Sequence, residues 1–274
     1  MPLATVRGWA PSVITNSGLV GAITPGTAIT SNATTLLDGA VTECISAANN
    51  IRDSWGIGIG INAIGNGGTA SESCVDILVG GATDDVLIAS LIVGGPVAAG
   101  WKWFFFPLHI PSGLRIAAVL ASVRVSQTGG CIIELYGGGV PPWRTGSRVT
   151  TYGTQINNAR GLAVVPTASG GAASITQMTA STTEDHFAFL PGFQCAVDAN
   201  VLARVLNIGI GIGAATEERI GTWWFGTDAS ETQTGPNPPW CVFRQVPAGT
   251  RLTMLASNSG TNDSDYDGLI YAVS

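Results

Sequence analysis

Charge is what this sequence has least of. Only 11% of its 274 residues are Asp, Glu, Lys or Arg, against about 25% in an average soluble domain. There is one lysine, Lys102, and the net charge is −6. No basic run exists to neutralise phosphates or to lie on an anionic bilayer, so nucleic acid and membrane surfaces are excluded as partners. Histidine is scarce as well. His109 stands in an aromatic stretch and reads as a half-buried strand residue, while His186 follows Glu184-Asp185 and reads as part of a solvated turn. Neither is accompanied by a G-x-S-x-G elbow, so a serine-hydrolase site is not indicated.

Long apolar runs are missing too. Mean hydropathy is +0.33, but Gly, Pro, Ser, Thr and Asn interrupt every stretch well before the roughly 18 residues of a spanning helix. The five cysteines (Cys44, Cys74, Cys131, Cys195 and Cys241) are scattered, with no C-x-x-C pair. Zinc is therefore not indicated, and buried free thiols are expected. The first residues, Met1-Pro2-Leu3-Ala4-Thr5-Val6-Arg7, carry no basic segment leading into an apolar one, so synthesis in the cytoplasm without a leader is expected.

What the chain does have is glycine (37 residues) and a repeat. Ile110-Pro111-Ser112-Gly113-Leu114-Arg115 leads into an apolar run ending Ala121-Ser122, and Val246-Pro247-Ala248-Gly249-Thr250-Arg251 leads into one ending Ala256-Ser257. In each, Pro presets φ for a tight turn and Gly accepts the positive-φ position. The copies stand half a chain length apart, which predicts a duplicated domain. Ile57-Gly58-Ile59-Gly60-Ile61 and Ile208-Gly209-Ile210-Gly211-Ile212 read as a second matching pair, although the first copy is longer between this stretch and the turn. Strict alternation means a strand with one isoleucine face and one glycine face, open to close approach by a backbone or an aromatic ring. Tyr136 and Tyr271 match in the final strands.

Short strands with turn signals between them predict an all-β chain: two tandem, duplicated, antiparallel β-sandwiches, jelly-roll-like. The expected boundaries are an extended N-terminal arm at 1–30, a first sandwich at 31–140, a linker at 141–154 and a second sandwich at 155–274. A short helix at 42–52 or 196–206 fits the pattern as well.

Candidate sites are few. Asp263, Asp265 and Asp267 alternate before Gly268 and imitate the first half of a calcium loop, but position twelve is Ser274 rather than Glu. A solvated hairpin tip is the preferred reading, and calcium is the one candidate ion in a chain expected to hold no cofactor. Trp101, Trp103, Trp223 and Trp224 flank expected loops, where tryptophan either stacks on sugar rings or packs at a subunit interface. The glycine strands lack the spacing of a phosphate cradle.

The run Phe106-Pro107-Leu108-His109-Ile110-Pro111-Ser112-Gly113-Leu114-Arg115 and its copy from Val246 to Arg251 resemble a pattern of virion structural proteins of tailed bacteriophages. The tandem, glycine-rich, charge-poor layout is similar to theirs over most of the chain. The resemblance implies a non-enzymatic part made in the host cytoplasm and built into the virion, such as a capsid decoration (cement) protein or a tail or head-fibre component. Its partners would be itself, with a trimer as the leading homo-oligomer, and other virion proteins such as the major capsid or tail proteins. A carbohydrate- or receptor-binding fibre module is the alternative. An uncharged surface suits either, because desolvating charge at an interface is costly.

Overall fold

The computed structural model describes residues 12–17, 26–62, 72–80, 84–94, 101–139, 141, 143–154, 161–169, 171–195, 204–214, 217–227, 235–260 and 266–274. Among them are eighteen strands. The first nine are β1 (Ser12–Thr15), β2 (Thr27–Thr30), β3 (Thr42–Ile45), β4 (Ser54–Asn62), β5 (Ser73–Gly80), β6 (Asp84–Ile92), β7 (Trp101–Phe106), β8 (Arg115–Ser122) and β9 (Thr128–Gly137). The second nine are β10 (Val149–Tyr152), β11 (Leu162–Val164), β12 (Ser174–Thr179), β13 (His186–Cys195), β14 (Arg204–Ile212), β15 (Glu218–Thr227), β16 (Val242–Val246), β17 (Leu252–Asn258) and β18 (Tyr266–Val273).

The strands form four antiparallel sheets. One has the order β1-β9-β4-β7, with β2 also on β9, and faces one ordered β3-β8-β5-β6. The other pair is β10-β18-β13-β16, with β11 on β18, facing β12-β17-β14-β15. Adding nine to each strand number of the first pair produces the second. Each half is thus a jelly roll, its chain crossing repeatedly between two facing sheets, and the fold is two β-sandwich domains in tandem.

The duplication extends to the turns. Gly113 (φ 76°) and Gly249 (φ 83°) hold the two Pro-x-Gly turns between β7 and β8 and between β16 and β17. Gly113 N–H donates to the Asn50 carbonyl (2.7 Å), as Gly249 N–H does to that of Thr182 (2.9 Å). The Asp53 carboxylate accepts the Ser112 N–H (2.9 Å), and that of Asp185 accepts the Ala248 N–H (2.8 Å). This clamp pins each turn to the residues just before β4 or β13, and the Ser112 N–H is the main reason the Asp53 carboxyl titrates below its usual range.

The second matching pair needs correction. Ile57–Ile61 lies in β4, whose topological counterpart is β13, whereas Ile208–Ile212 lies in β14, the counterpart of β5. The two strands share a burial pattern, not a place in the fold: both bury isoleucine on one face, with Ile57, Ile59, Ile61, Ile208 and Ile210 fully buried. Their mismatch accounts for the unequal spacing to the turn.

Other expectations meet different structure. Thr42–Ile45 is strand β3 and is followed by a turn in which Asn49 and Asn50 N–H donate to the Ser46 carbonyl, so no helix forms at 42–52. The other proposed helix, 196–206, lies outside the described residues up to 203 and then enters β14. Within the segment read as an arm, β1 and β2 pair with β9 of the same chain, and Ile29 is a core residue. The segment read as a linker ends in β10, part of the second domain's sheet. His186 is not solvated: it is fully buried at the start of β13, 2.8 Å from the Tyr152 hydroxyl, and burial lowers its pKa. The cysteines agree with expectation: all five are buried and free.

One contiguous apolar cluster runs through both sandwiches, so the domains are packed against each other. The outer face of the β18–β13 pair lies against β6 and the residues after it. Tyr271 meets the Phe106 ring edge-on at 5.8 Å, and the Gln194 amide oxygen accepts N–H groups of Ser73 (3.3 Å) and Gly94 (3.1 Å). A Cβ on Gly192 would lie 2.6 Å from the Tyr271 hydroxyl and 2.8 Å from Ile92, so this close approach requires glycine. Lys102 is buried beside it, donating to the Gly94 carbonyl.

Candidate functional site

A cavity of about 640 Å³ lies at the seam between the two domains. Its lining includes Gly58, on the glycine face of β4. With isoleucine turned inward, the opposite side of the strand carries only hydrogen at Gly56, Gly58 and Gly60, and rings from the neighbouring strands lie down on it. A Cβ at Gly56 would be 2.6 Å from Phe105, at Gly58 3.1 Å from Tyr136, and at Gly60 2.9 Å from Trp103. The close aromatic approach that the alternation predicted is therefore present.

The walls come from four places. Strand β7 contributes Trp103 and Phe105, β9 contributes Glu134 and Tyr136, the crossover between domains contributes Trp143, and β16 with the residues before it contributes Phe243 and Trp240. The Phe105 ring stands edge-on to Tyr136 (5.6 Å, 72°) and to Trp143 (5.7 Å, 86°). Backbone bonds tie the seam together: Phe105 N–H donates to the Pro239 carbonyl at 2.7 Å, and the Cys241 thiol to the Phe105 carbonyl at 3.4 Å. Burial pushes the Cys241 thiol pKa well up, which keeps it protonated and unreactive. Trp143 is oriented by its indole N–H, which donates to the Trp55 carbonyl (3.2 Å).

Glu134 is the one charged side chain lining the cavity. Its carboxylate accepts a hydrogen bond from the Tyr136 hydroxyl, and burial together with this carboxylate raises the phenol pKa.

The tryptophans singled out in the sequence separate. Trp101 opens β7 and Trp103 lies within it, with ring centroids 6.1 Å apart, and Trp103 reaches the cavity. Trp223 and Trp224 are neighbours in β15 and face opposite ways. Trp223 is fully buried, its indole N–H donating to the Trp240 carbonyl (3.3 Å), so it offers no surface to a ligand. Trp224 is 50% exposed beside Asn207, Ser257 and Ser259. Asp263 and Asp265 lie outside the described residues, and Asp267 is buried in β18, its backbone paired with Ala163 and Gln194. Among the described residues no cluster of His, Cys, Asp and Glu side chains is spaced to hold a metal ion.

Sequence reasoning missed Glu134, Tyr136, Trp143, Trp240 and Phe243. A signal was available for two of them: Pro-Pro-Trp occurs at 141–143 and again at 238–240. A paired proline directs the chain away from both helix and ladder, and here each copy presents its tryptophan to the same cavity.

No protein-family model matches the chain, and no curated protein matches it in sequence. Solved structures that share its layout do so distantly. PNGF-II is 8% identical at a TM-score of 0.40, with 91% of this chain aligned. The chain spans 65% of the length of that protein. PNGase F, a glycosylasparaginase from Flavobacterium meningosepticum, is 12% identical at 0.34, covering 97% of this chain and 96% of that one. A chain of infectious bursal disease virus, Gx strain, is 10% identical at 0.25, covering all of this chain and 74% of that one. Likenesses this distant carry no argument about activity. The class defined by the hydrogen-bonded topology itself is a tandem double jelly roll, an architecture that hosts many functions.

Proposed function

We propose that this chain is a non-enzymatic structural protein of a bacteriophage particle, a capsid decoration or appendage component that self-associates and binds other virion subunits. The observation that carries the reading is a charge-poor exterior with large apolar side chains on a double jelly roll whose halves share one core. Ile51 (72% exposed), Leu37 (54%), Val86 (54%) and Trp224 (50%) all face solvent in the single chain. Interface cores are depleted in charge and enriched in aromatics, and jelly rolls are a common capsid unit. A closed homo-oligomer, with a trimer as the leading form, covers such a surface at low cost, because few charges must be desolvated.

Light scattering of the purified chain over a wide dilution series tests this. A closed oligomer whose mass survives dilution is the expected result. A monomer at every concentration counts against self-association. The alternative, a carbohydrate- or receptor-binding fibre module, draws support from exposed Trp224 with the polar side chains of Asn207, Ser257 and Ser259 around it. A glycan array comparing the native chain with Trp224→Ala separates the two: binding that the substitution abolishes favours the module.

A further inference from the structure

We propose that the cavity at the domain seam is a binding site for a small organic cation bearing an alkylated ammonium group. This goes beyond the assembly role and does not depend on it. Aromatic residues dominate the lining of the cavity, among them Trp103, Phe105, Tyr136, Trp143, Trp240 and Phe243. Aromatic faces carry negative quadrupole potential, and several rings around one space form the arrangement that holds quaternary ammonium ions. The volume of about 640 Å³ falls within the range of small-molecule sites, roughly 300–1,000 Å³.

The carboxylate of Glu134 decides the sign of the guest. Among the described residues no Lys, Arg or His forms an ion pair with it. Arg144, next in sequence to Trp143, is engaged elsewhere, over the Phe187 ring at 4.4 Å and with its guanidinium on the Gln245 amide oxygen at 2.8 Å. Among the described residues the cavity therefore carries one carboxylate, Glu134, whose hydrogen-bond partner is the Tyr136 hydroxyl. Three donors of the lining are already committed: Trp143 N–H to the Trp55 carbonyl, Cys241 to the Phe105 carbonyl and Tyr136 to Glu134. An anion finds no counter-charge here, and a sugar would bury several hydroxyls against hydrocarbon. An alkylated ammonium needs no hydrogen bond, lies against ring faces and gains from the nearby carboxylate.

Glycine makes the site possible. Side chains at Gly58 and Gly60 would occupy the space in which Tyr136 and Trp103 now lie. The two Pro-Pro-Trp segments supply a ring from the crossover and a ring from the second domain, so the site exists only when both sandwiches are docked.

The test is calorimetric titration of the full chain with benzyltrimethylammonium and choline, alongside 3,3-dimethylbutan-1-ol, the neutral isostere of choline. The expected result is that choline binds about tenfold more tightly than the alcohol, with tryptophan fluorescence changing on binding. Glu134→Gln, which keeps an acceptor for Tyr136, should weaken choline by about tenfold and leave the alcohol unchanged. Trp240→Ala removes a half-exposed ring, and serves if the Glu134 variant does not fold; it should weaken both ammonium ions. Equal affinity for choline and its isostere overturns the proposal. So does the absence of ammonium binding, affinity unaltered in Glu134→Gln, or a preference for neutral sugars over the ammonium ions.

Discussion

The Tyr271 hydroxyl, on the last strand of the second sandwich, donates to the carbonyl of Ser90 on β6 of the first, at 2.9 Å. It also accepts the Ile92 N–H at 2.7 Å. Ser90 has a positive φ of 57° and sits where the β5–β6 register shifts, its own N–H donated to the Asp76 carboxylate at 2.7 Å. A strained bulge in one domain is thus completed by a phenol from the other. Tyr271→Phe would keep the packing and strip partners from two buried backbone groups. A loss of about 2–4 kcal/mol in urea unfolding is expected, since each unsatisfied group costs about 1–3 kcal/mol. An unchanged midpoint would mean that apolar contact alone holds the joint.

Lys102 is buried at the same seam, and desolvation lowers its pKa from 10.5 to about 7. The unfolded chain then binds the extra proton between these values, so this group makes stability rise with pH from about 7 to 10.5. Below about 7 the destabilisation is fully present; above 10.5 it vanishes. Lys102→Met should therefore stabilise the chain by about 1–4 kcal/mol near pH 6, with the gain shrinking as pH climbs towards 10. Urea midpoints of the two chains at several pH values check this, and a constant difference would reject it.

The glycine face of β4 makes a quantitative contrast possible. Gly60→Ala puts a methyl 2.9 Å from the Trp103 ring, so strand β4 or the indole must move. A cost of about 1–3 kcal/mol is expected from overpacking. Gly113→Ala meets nothing within 4 Å, and its φ of 76° is the only penalty, about 1–2 kcal/mol. Thermal melts of the two variants, with the tryptophan fluorescence of each, distinguish steric clash from backbone strain: a shifted emission is expected for Gly60→Ala alone.

Trp223 and Trp224 are adjacent, yet their substitution should differ sharply. Trp223→Ala empties a fully buried site and is expected to cost about 3–5 kcal/mol. Trp224→Ala alters a half-exposed surface and should change monomer stability by less than about 0.5 kcal/mol. If oligomer mass falls in Trp224→Ala while the melt is unchanged, the ring belongs to an assembly contact.

Local signals carried much of the architecture. Alternation in Ile57–Ile61, the turn residues around Gly113 and Gly249, and the repeated Pro-x-Gly-x-Arg stretch sufficed for an all-β, duplicated double sandwich. These features depend on φ preferences and on the two-residue period of a strand, both properties of neighbouring residues. Strand β13 (His186–Cys195) was hidden for the opposite reason. Its own core covers one face and the first domain covers the other, so every residue is buried and no alternation remains. Pro191-Gly192 within it looks like a turn, but its β16 pairing stops at Phe189, and the missing proline N–H interrupts no ladder on that side.

The sequence by itself therefore determined the fold class, the duplication and the uncharged character of the surface. Only the tertiary structure decided which strands are equivalent, because equivalence is a matter of hydrogen-bonded order across sheets: β4 and β14 look alike yet occupy different places. It also decided where the cavity lies. Glu134, Trp143 and Trp240 are separated by loops and by a whole domain, and they meet only because Tyr271 and its neighbours dock the two sandwiches. A site assembled from side chains so far apart leaves no local pattern, since each residue answers to the packing of a different segment.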